Sequence, residues 1–112
     1  MWFLLVLTVT AYAPSAGGIN CDADCSVTAS GALPVAGVAS CPRDWPFGAR
    51  LYVPGYGEAE CQDHGGAIYG RRIEVVIEPE EVAMEWGVKR LGVWVQKEPW
   101  PLSWYYDLSR RH

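Results

Sequence analysis

Apolar and polar residues alternate along much of this chain, which is the pattern of β-strands. Residues 7–12, Leu-Thr-Val-Thr-Ala-Tyr, alternate as a strand with one buried face should. Short runs bounded by proline and glycine predict further strands at about 35–40, 49–54, 57–62, 73–77 and 91–95, after a first strand at about 3–12. Twelve glycines and eight prolines favour short strands and turns over a helical bundle. We predict a mainly β domain.

One short helix is predicted between the last two strands. Pro79 stands near its start, and Glu80 and Glu81 occupy its first turn, where carboxylates favour the positive end of the helix dipole. Gly87 is well placed to end it. The apolar side chains expected to make its contacts are Val82, Met84 and Trp86.

The apolar N-terminus has two interpretations. Residues 11–13, Ala-Tyr-Ala, imitate a signal-peptide cleavage site, but no Lys or Arg precedes the apolar run and Pro14 follows it directly. The run is also shorter than the ~20 residues that a helix needs to span a bilayer. We therefore predict the first strand of the domain and no transmembrane segment, with a degenerate signal peptide as the alternative.

Size and charge restrict the class of protein. A chain of 112 residues with half of them hydrophobic has room for one domain with a real core. The net charge of −4, with the basic residues mostly scattered, gives no reason to expect nucleic acid as a partner.

The cysteines favour an oxidising compartment. They form an even set in a small, loop-rich chain: Cys21, Cys25, Cys41 and Cys61. Two disulfides are the simplest interpretation, because no C-x-x-C pair supports zinc; zinc and four reduced thiols remain alternatives. Cys21 and Cys25 enclose two acids, Asp22 and Asp24, that could bind a cation, but we favour a surface hairpin pinned by a Cys21–Cys25 bridge.

The most informative segment is a glycine-dense turn flanked by carboxylates. Asp63 stands at its start and Glu74 follows eleven residues later. Between them, Gly65, Gly66 and Gly70 permit positive φ or close backbone approach, which a Cβ resists. The two carboxylates are thus expected at the rim of a groove that a bulky polymer can enter.

With its neighbours, this turn resembles the 3D domain, a family related to the catalytic barrel of MltA-type lytic transglycosylases. Five segments within residues 7–95 match in the family's order: 8–12, 28–31, 46–57, 63–70 and 85–87. The resemblance implies a small six-stranded double-psi β-barrel with one short helix. We expect the barrel to occupy residues 1–96 and an aromatic tail to occupy 97–112.

The resemblance also implies a catalytic site. The family is named for three aspartates that converge at one end of the barrel groove. Asp63 matches the second of them, and Glu74 matches the third with one more methylene. The first is Cys41 here, with Asp44 three residues on as a stand-in, and Tyr69 occupies the place of a common lysine.

Further contacts follow from the same resemblance. Substrate-binding positions are expected at Gly65, Gly66, Tyr69, Cys41 and Asp44. Cys41 and Cys61 replace or flank acidic positions that the family brings together, which suggests a Cys41–Cys61 bridge that clamps the groove.

Lytic cleavage needs one well-placed acid. That acid protonates the glycosidic oxygen and then, as a base, takes the proton of the sugar's own 6-hydroxyl, leaving a 1,6-anhydro ring. By resemblance this group is Asp63. Glu74 is its natural neighbour, because like charges in one groove disfavour double ionisation and one of the pair keeps its proton.

Simpler interpretations compete with these roles. An Asp before two glycines is often a turn-former that caps its own backbone, and a strand Glu is often only solvated; these readings apply to Asp63 and Glu74. His64 could shuttle protons near neutral pH or be an ordinary surface residue. Aromatic faces that could stack on sugar rings are Tyr69, Trp45 and Trp94.

We therefore predict an enzyme that cleaves peptidoglycan glycan strands without a metal or cofactor. It would act outside the cytoplasm, in the cell envelope or secreted, or on a virion if a phage encodes it. The alternative is a non-catalytic glycan-binding or structural barrel of a larger assembly. The tail either packs over the barrel mouth or is an aromatic docking surface for a glycan or for a protein partner, through Trp100, Trp104 and Tyr105.

Overall fold

The barrel is built from six short strands in the part of the chain that the computed structural model describes, residues 2–16, 28–65 and 68–96. The strands are β1 (Trp2–Tyr12), β2 (Val38–Ser40), β3 (Arg50–Val53), β4 (Gly57–Asp63), β5 (Arg72–Val76) and β6 (Lys89–Gln96). One α-helix, α1 (Glu80–Trp86), joins β5 to β6, and a 3-10 turn at Pro14–Ala16 follows β1.

The strands close on themselves in the order β1-β5-β2-β4-β3-β6. The pairs β1–β5 and β2–β4 are parallel, and the other pairs are antiparallel. Closure gives every strand two neighbours, so the sheet presents no open edge to solvent. The predicted mainly β fold, a six-stranded barrel with one short helix, is confirmed.

The core fills the barrel with small and branched side chains. Alternate residues of each strand point inward, as in β1, where Leu5, Leu7 and Val9 are buried and Leu4 and Val6 are exposed. Burying one such side chain contributes roughly 1.5–3 kcal/mol relative to leaving it in water. The other fully buried strand residues include Ala39, Leu51, Val53, Cys61, Ile73, Val75, Val93 and Val95.

Strand boundaries differ from the prediction where turns intervene. β2 begins at Val38 instead of near residue 35, because the amide of Val35 bonds to the carbonyl of Leu33 and Gly37 has a φ of 92°. β6 is longer than predicted because it pairs with β1 over eight positions, from Trp2↔Gln96 to Val9↔Lys89.

Helix α1 has the predicted ends but a different apolar face. Pro79 is its N-cap, and Gly87 ends it at a φ of 67°. Val82 and Met84 are exposed, whereas Ala83 is buried and the indole Nε1 of Trp86 donates to the carbonyl of Val9 at 3.1 Å. A helix of seven residues touches the barrel along one stripe, here positions 83 and 86. No helix among the described residues is long and apolar enough to cross a membrane.

Several predicted features lie outside the described residues. They are the hairpin with Cys21 and Cys25, the acids Asp22 and Asp24, the middle of the glycine turn at Gly66, and the aromatic tail with Trp100, Trp104 and Tyr105.

Candidate functional site

A β-bulge places Asp63 beside Ser40. Along the β2–β4 pair, Ala39 is opposite Cys61 but Ser40 is opposite Asp63, so one extra residue of β4 is accommodated between them. Without the bulge, Gln62 would stand next to Ser40. The Ser40 hydroxyl approaches Oδ2 of Asp63 at 3.5 Å, a long hydrogen bond.

Ser40 is also the register partner of Glu74 on its other side, and Glu74 is the partner of Thr10. Partners in register project to the same face of a sheet, so these four residues form a row across β1, β5, β2 and β4 that we call the polar row. Their chain neighbours Val9, Ile73 and Ala39 are fully buried in the core, which puts the polar row on the opposite face. The backbones carrying the two carboxylates are roughly 10 Å apart, two strand spacings.

Glu74 is buried, not solvated. Only 3 % of its surface is exposed. The Thr10 hydroxyl donates to its Oε2 at 2.9 Å, and Nη2 of Arg72 lies 3.9 Å from the same oxygen. A carboxylate is costly to bury without such partners. The interpretation of Glu74 as an ordinary solvated strand carboxylate is therefore wrong.

Asp63 organises the turn with one of its oxygens. Oδ1 accepts the backbone N–H groups of His64 and Ala29, each at 2.9 Å. The capping role expected of an Asp before glycines is thus present, and it also ties the segment at Ala29 to the end of β4. Oδ2 is left facing Ser40 in the polar row.

Tyr12 is a member of this site that the sequence interpretation missed. It lies two residues beyond Thr10 on β1, and its hydroxyl oxygen is buried without a hydrogen-bond partner of acceptable geometry among the described residues. Burial raises the pKa of Tyr12 to about 12; the Ser40 side chain opposes this rise, and the charges of Asp63 and Glu74 add to it. The phenol therefore lies within electrostatic reach of both carboxylates. Ser40 and Thr10 were likewise not anticipated, although alternation in residues 8–12 already places Thr10 and Tyr12 on one face.

The Cys41–Cys61 disulfide fastens the ends of β2 and β4, as the family resemblance implied. Its Cα atoms are 5.7 Å apart, and both side chains are fully buried. The amide of Cys41 donates to the carbonyl of Asp63 at 2.9 Å. Cys41 thus holds Ser40 and Asp63 in place but, being fully buried, offers no surface to a ligand, so its predicted substrate contact is wrong.

Three of the other predicted substrate positions line one small cavity. This turn pocket, about 360 Å³, contains Asp44, Gly65 and Tyr69, and its remaining walls are Pro42, Arg43, Ile68 and Gly70. Tyr69 is 76 % exposed, so its ring is available to a ligand. Asp44 belongs to this pocket and not to the polar row.

His64 and the two predicted stacking tryptophans are placed differently from expectation. His64 stacks on Phe47 with ring centroids 4.3 Å apart, and its Nε2 lies 3.2 Å from the carbonyl of Trp45. Trp45 is 1 % exposed and belongs to the core, so it cannot stack on a sugar. Trp94 is partly exposed, but it lies on β6, opposite Tyr52 of β3 and across the barrel from β2.

A larger groove of about 1060 Å³ lies between α1 and the ends of β1 and β5. Its walls include Tyr56 and Trp86 but neither Asp63 nor Glu74. Its Glu78 accepts bonds from the amide and hydroxyl of Ser15, at 3.1 and 2.9 Å. The ammonium of Lys89 lies 3.8 Å from the centroid of the Trp86 ring. We take the polar row and the turn pocket as the candidate functional site, because Asp63 and Glu74 lie in the polar row and three of the predicted substrate positions line the turn pocket.

Comparison with known proteins identifies the family. A family model described as the 3D domain matches residues 36–97, which include β2 to β6, and the chain belongs to this family. The chain is similar to "Cell wall-binding protein YocH" of Bacillus subtilis (strain 168), at 42 % identity over 94 residues, covering 80 % of this chain and 31 % of that protein. It is also similar to "Putative cell wall shaping protein YabE" of the same organism, at 29 % identity over 90 residues, covering 80 % of this chain and 22 % of that protein. The chain thus spans less than a third of either relative's length.

Proposed function

We propose that this domain binds peptidoglycan glycan strands in the cell envelope and cleaves a glycosidic bond through Asp63 with Glu74. The observation that carries the proposal is the polar row, in which the carboxylates of Glu74 on β5 and Asp63 on β4 flank Ser40 of the intervening strand β2. The names of the two relatives, which refer to binding and shaping of the cell wall, support the choice of polymer.

Asp63 has an oxygen suited to acid and base catalysis. Oδ1 is engaged by two backbone N–H groups, so the side chain is fixed, while among the described residues only Ser40 approaches Oδ2. In the proposed reaction Oδ2 gives a proton to the glycosidic oxygen as the bond from that oxygen to C1 breaks. The same oxygen then accepts the proton of the 6-hydroxyl as O6 bonds to C1, which yields the 1,6-anhydro product.

Glu74 supplies the second negative charge of the site. Its burial and its bond from Thr10 fix its position on the polar row. In the proposed reaction this carboxylate stabilises the positive charge that develops at C1.

The turn pocket is proposed to hold the strand beside the cleavage point. The exposed ring of Tyr69 offers a face for a sugar ring, and the backbone at Gly65 allows the polymer to approach closely. Asp44, in the same pocket, can accept hydrogen bonds from sugar hydroxyls.

A second candidate is a non-catalytic module that binds glycan or serves as a structural barrel in a larger assembly. It is favoured by the position of the family's first aspartate, where Cys41 is engaged in a disulfide and contributes no carboxylate. This candidate keeps the turn pocket and dispenses with proton transfer.

Pull-down with purified sacculi, read together with the release of soluble fragments, separates the candidates. The parent protein is compared with Asp63→Asn and with Glu58→Gln, a control that removes an exposed carboxylate of β4 facing Arg50. We expect binding by all three proteins and release by all except Asp63→Asn. Binding without release by the parent would favour the second candidate in its glycan-binding form. Absence of both binding and release would refute cleavage and glycan binding and would leave only the structural barrel.

A further inference from the structure

Two tyrosines of the barrel, Tyr12 and Tyr56, differ in the hydrogen bonding of their hydroxyl groups. The hydroxyl of Tyr56 accepts from the amide of Gly37 and donates to the carbonyl of Val76, both at 2.8 Å. The hydroxyl of Tyr12 is buried near the Ser40 side chain but makes no hydrogen bond of acceptable geometry with any described residue. A buried polar group without a partner costs free energy, so its retention in a well-packed barrel calls for a reason.

The surroundings of the Tyr12 hydroxyl are those of the polar row. Tyr12 follows Thr10 on the same face of β1, and its phenol interacts with the side chain of Ser40. The hydroxyl of Ser40 is the group that approaches Oδ2 of Asp63 at 3.5 Å, so Ser40 lies between the phenol and that carboxylate. Because burial raises the pKa of Tyr12 to about 12, the group is a neutral O–H donor at the pH of the cell.

Asp63 lacks a strong donor where it would need one. Its Oδ1 already accepts two backbone N–H groups, but among the described residues Oδ2 has only the 3.5 Å approach of the Ser40 hydroxyl. Once Oδ2 has given up a proton, it carries negative charge. A donor that reaches it at that moment stabilises the transition state more than the resting enzyme.

We propose that Tyr12 is a positioning residue whose hydroxyl donates a hydrogen bond to Asp63 when that carboxylate becomes negatively charged during glycan cleavage. The inference rests on the proposed function and adds to it a residue that acts through Asp63. The bond is long or absent in the free protein and shortens in the complex, as catalytic hydrogen bonds commonly do.

Every proton that moves in the proposed step has a donor and an acceptor. The proton of Asp63 moves to the glycosidic oxygen, which leaves with the electron pair of its bond to C1. The Tyr12 O–H turns toward the new carboxylate charge but keeps its own proton. Asp63 then takes the 6-hydroxyl proton as O6 bonds to C1, and the hydrogen bond from Tyr12 loosens again.

The test compares Tyr12→Phe with Tyr56→Phe. Both substitutions remove one buried hydroxyl and retain the ring, so they are matched in chemistry. The readouts are Tm, kcat and KM on purified glycan strands of defined length. For Tyr12→Phe we expect kcat to fall about tenfold or more with KM little changed, because the bond forms only as charge develops. Its Tm should stay level or rise, because no partner in the described structure loses a bond.

Tyr56→Phe should show the reverse, a lower Tm with kcat and KM unchanged, because Gly37 and Val76 each lose a hydrogen-bond partner. An unchanged kcat in Tyr12→Phe overturns the inference while cleavage by the parent upholds the proposed function. A fall in the Tm of Tyr12→Phe as large as that of Tyr56→Phe also overturns it, since the hydroxyl would then be structural. If the parent cleaves nothing, the catalytic proposal fails and this inference fails with it.

Discussion

Ser40 and Asp63 stand opposite each other on β2 and β4 because one extra residue bulges from β4 just before Asp63. The bulge brings the carboxylate into line with Glu74, which is the partner of Ser40 on the other side. A shift of one residue in a strand moves every side chain to the opposite face, so the proposed catalytic arrangement depends on this irregularity. Bulges next to functional sites commonly serve to redirect one side chain in this way.

Removal of the Asp63 side chain should destabilise the fold independently of any effect on activity. Asp63→Ala leaves the amides of Ala29 and His64 without their acceptor, at a cost of about 1–3 kcal/mol in the free energy of unfolding. Asp63→Asn retains an acceptor oxygen and should cost less than half as much. Urea unfolding of both variants checks this. Equal stability of Asp63→Ala and the parent would show that the two bonds contribute nothing.

Loss of the Cys41–Cys61 bond should lower stability substantially. The bond joins positions 20 residues apart, and a loop of this length corresponds to about 3 kcal/mol of unfolded-state entropy. Replacement of both cysteines by alanine should therefore lower the urea midpoint without changing the slope by much. Cys21→Ala/Cys25→Ala serves as the control that leaves the barrel bond intact. If the Cys41→Ala/Cys61→Ala protein retains the urea midpoint of the parent under oxidising conditions, the bond does not stabilise the barrel.

Stability should decline at alkaline pH because of Tyr12 and Tyr56. Burial raises the pKa of both phenols, that of Tyr12 to about 12, while an unfolded tyrosine titrates near pH 10. The contribution of the two phenols to the free energy of unfolding is fully present below about pH 10. Above it the unfolded chain loses phenol protons that the folded chain retains, so the free energy of unfolding falls as pH rises toward about 12.

The urea midpoint measured from neutral pH to about pH 11, with tyrosinate absorbance as a second probe, checks this alkaline decline. Tyr12→Phe should show a shallower decline than the parent. An identical decline in the two proteins would mean that Tyr12 titrates alike in the folded and unfolded chains.

Glu74→Gln should separate catalysis from binding. The amide retains an acceptor for the Thr10 hydroxyl and nearly the same shape, so the barrel and its turn pocket should persist. Removal of the negative charge should lower the rate of glycan cleavage by about 100-fold or more, in the range usual for acid and base groups. Sacculus pull-down should remain at the level of the parent. If the Glu74→Gln protein cleaves at the rate of the parent, the charge of Glu74 plays no part in cleavage and only Asp63 remains as the proposed catalytic residue.

Much of the barrel could be predicted from local sequence. Alternation in residues 7–12 and the Pro79 and Gly87 boundaries of α1 act over a few residues, and the structure follows them. The burial of Trp45 could not be predicted this way, because it lies in a turn between prolines that carries no periodic pattern. The exposure of Val82 and Met84 depends on which stripe of a short helix meets the barrel, a tertiary property.

Some residues of the candidate site could likewise be predicted from the sequence, and others could not. Asp63 and Glu74 were found through the glycine turn and the family resemblance, since both lie within one stretch of chain. Thr10 and Ser40 come from strands that are far apart in sequence, and only the register of the β1–β5, β2–β5 and β2–β4 pairs brings them into the same row. Tyr12 lies two residues beyond Thr10 on the same face of β1. Register between distant strands, and a bulge above all, leaves no periodic signal in either strand alone.

The most direct test of the central claim is mass spectrometry of the fragments that the protein releases from purified sacculi, with Asp63→Asn beside it. We expect muropeptides with 1,6-anhydro ends from the parent and none from Asp63→Asn, although both proteins bind the sacculi. Fragments with reducing ends would instead indicate hydrolysis by an activated water. The same anhydro fragments from Asp63→Asn would contradict the assignment of Asp63 as the acid and base of the reaction.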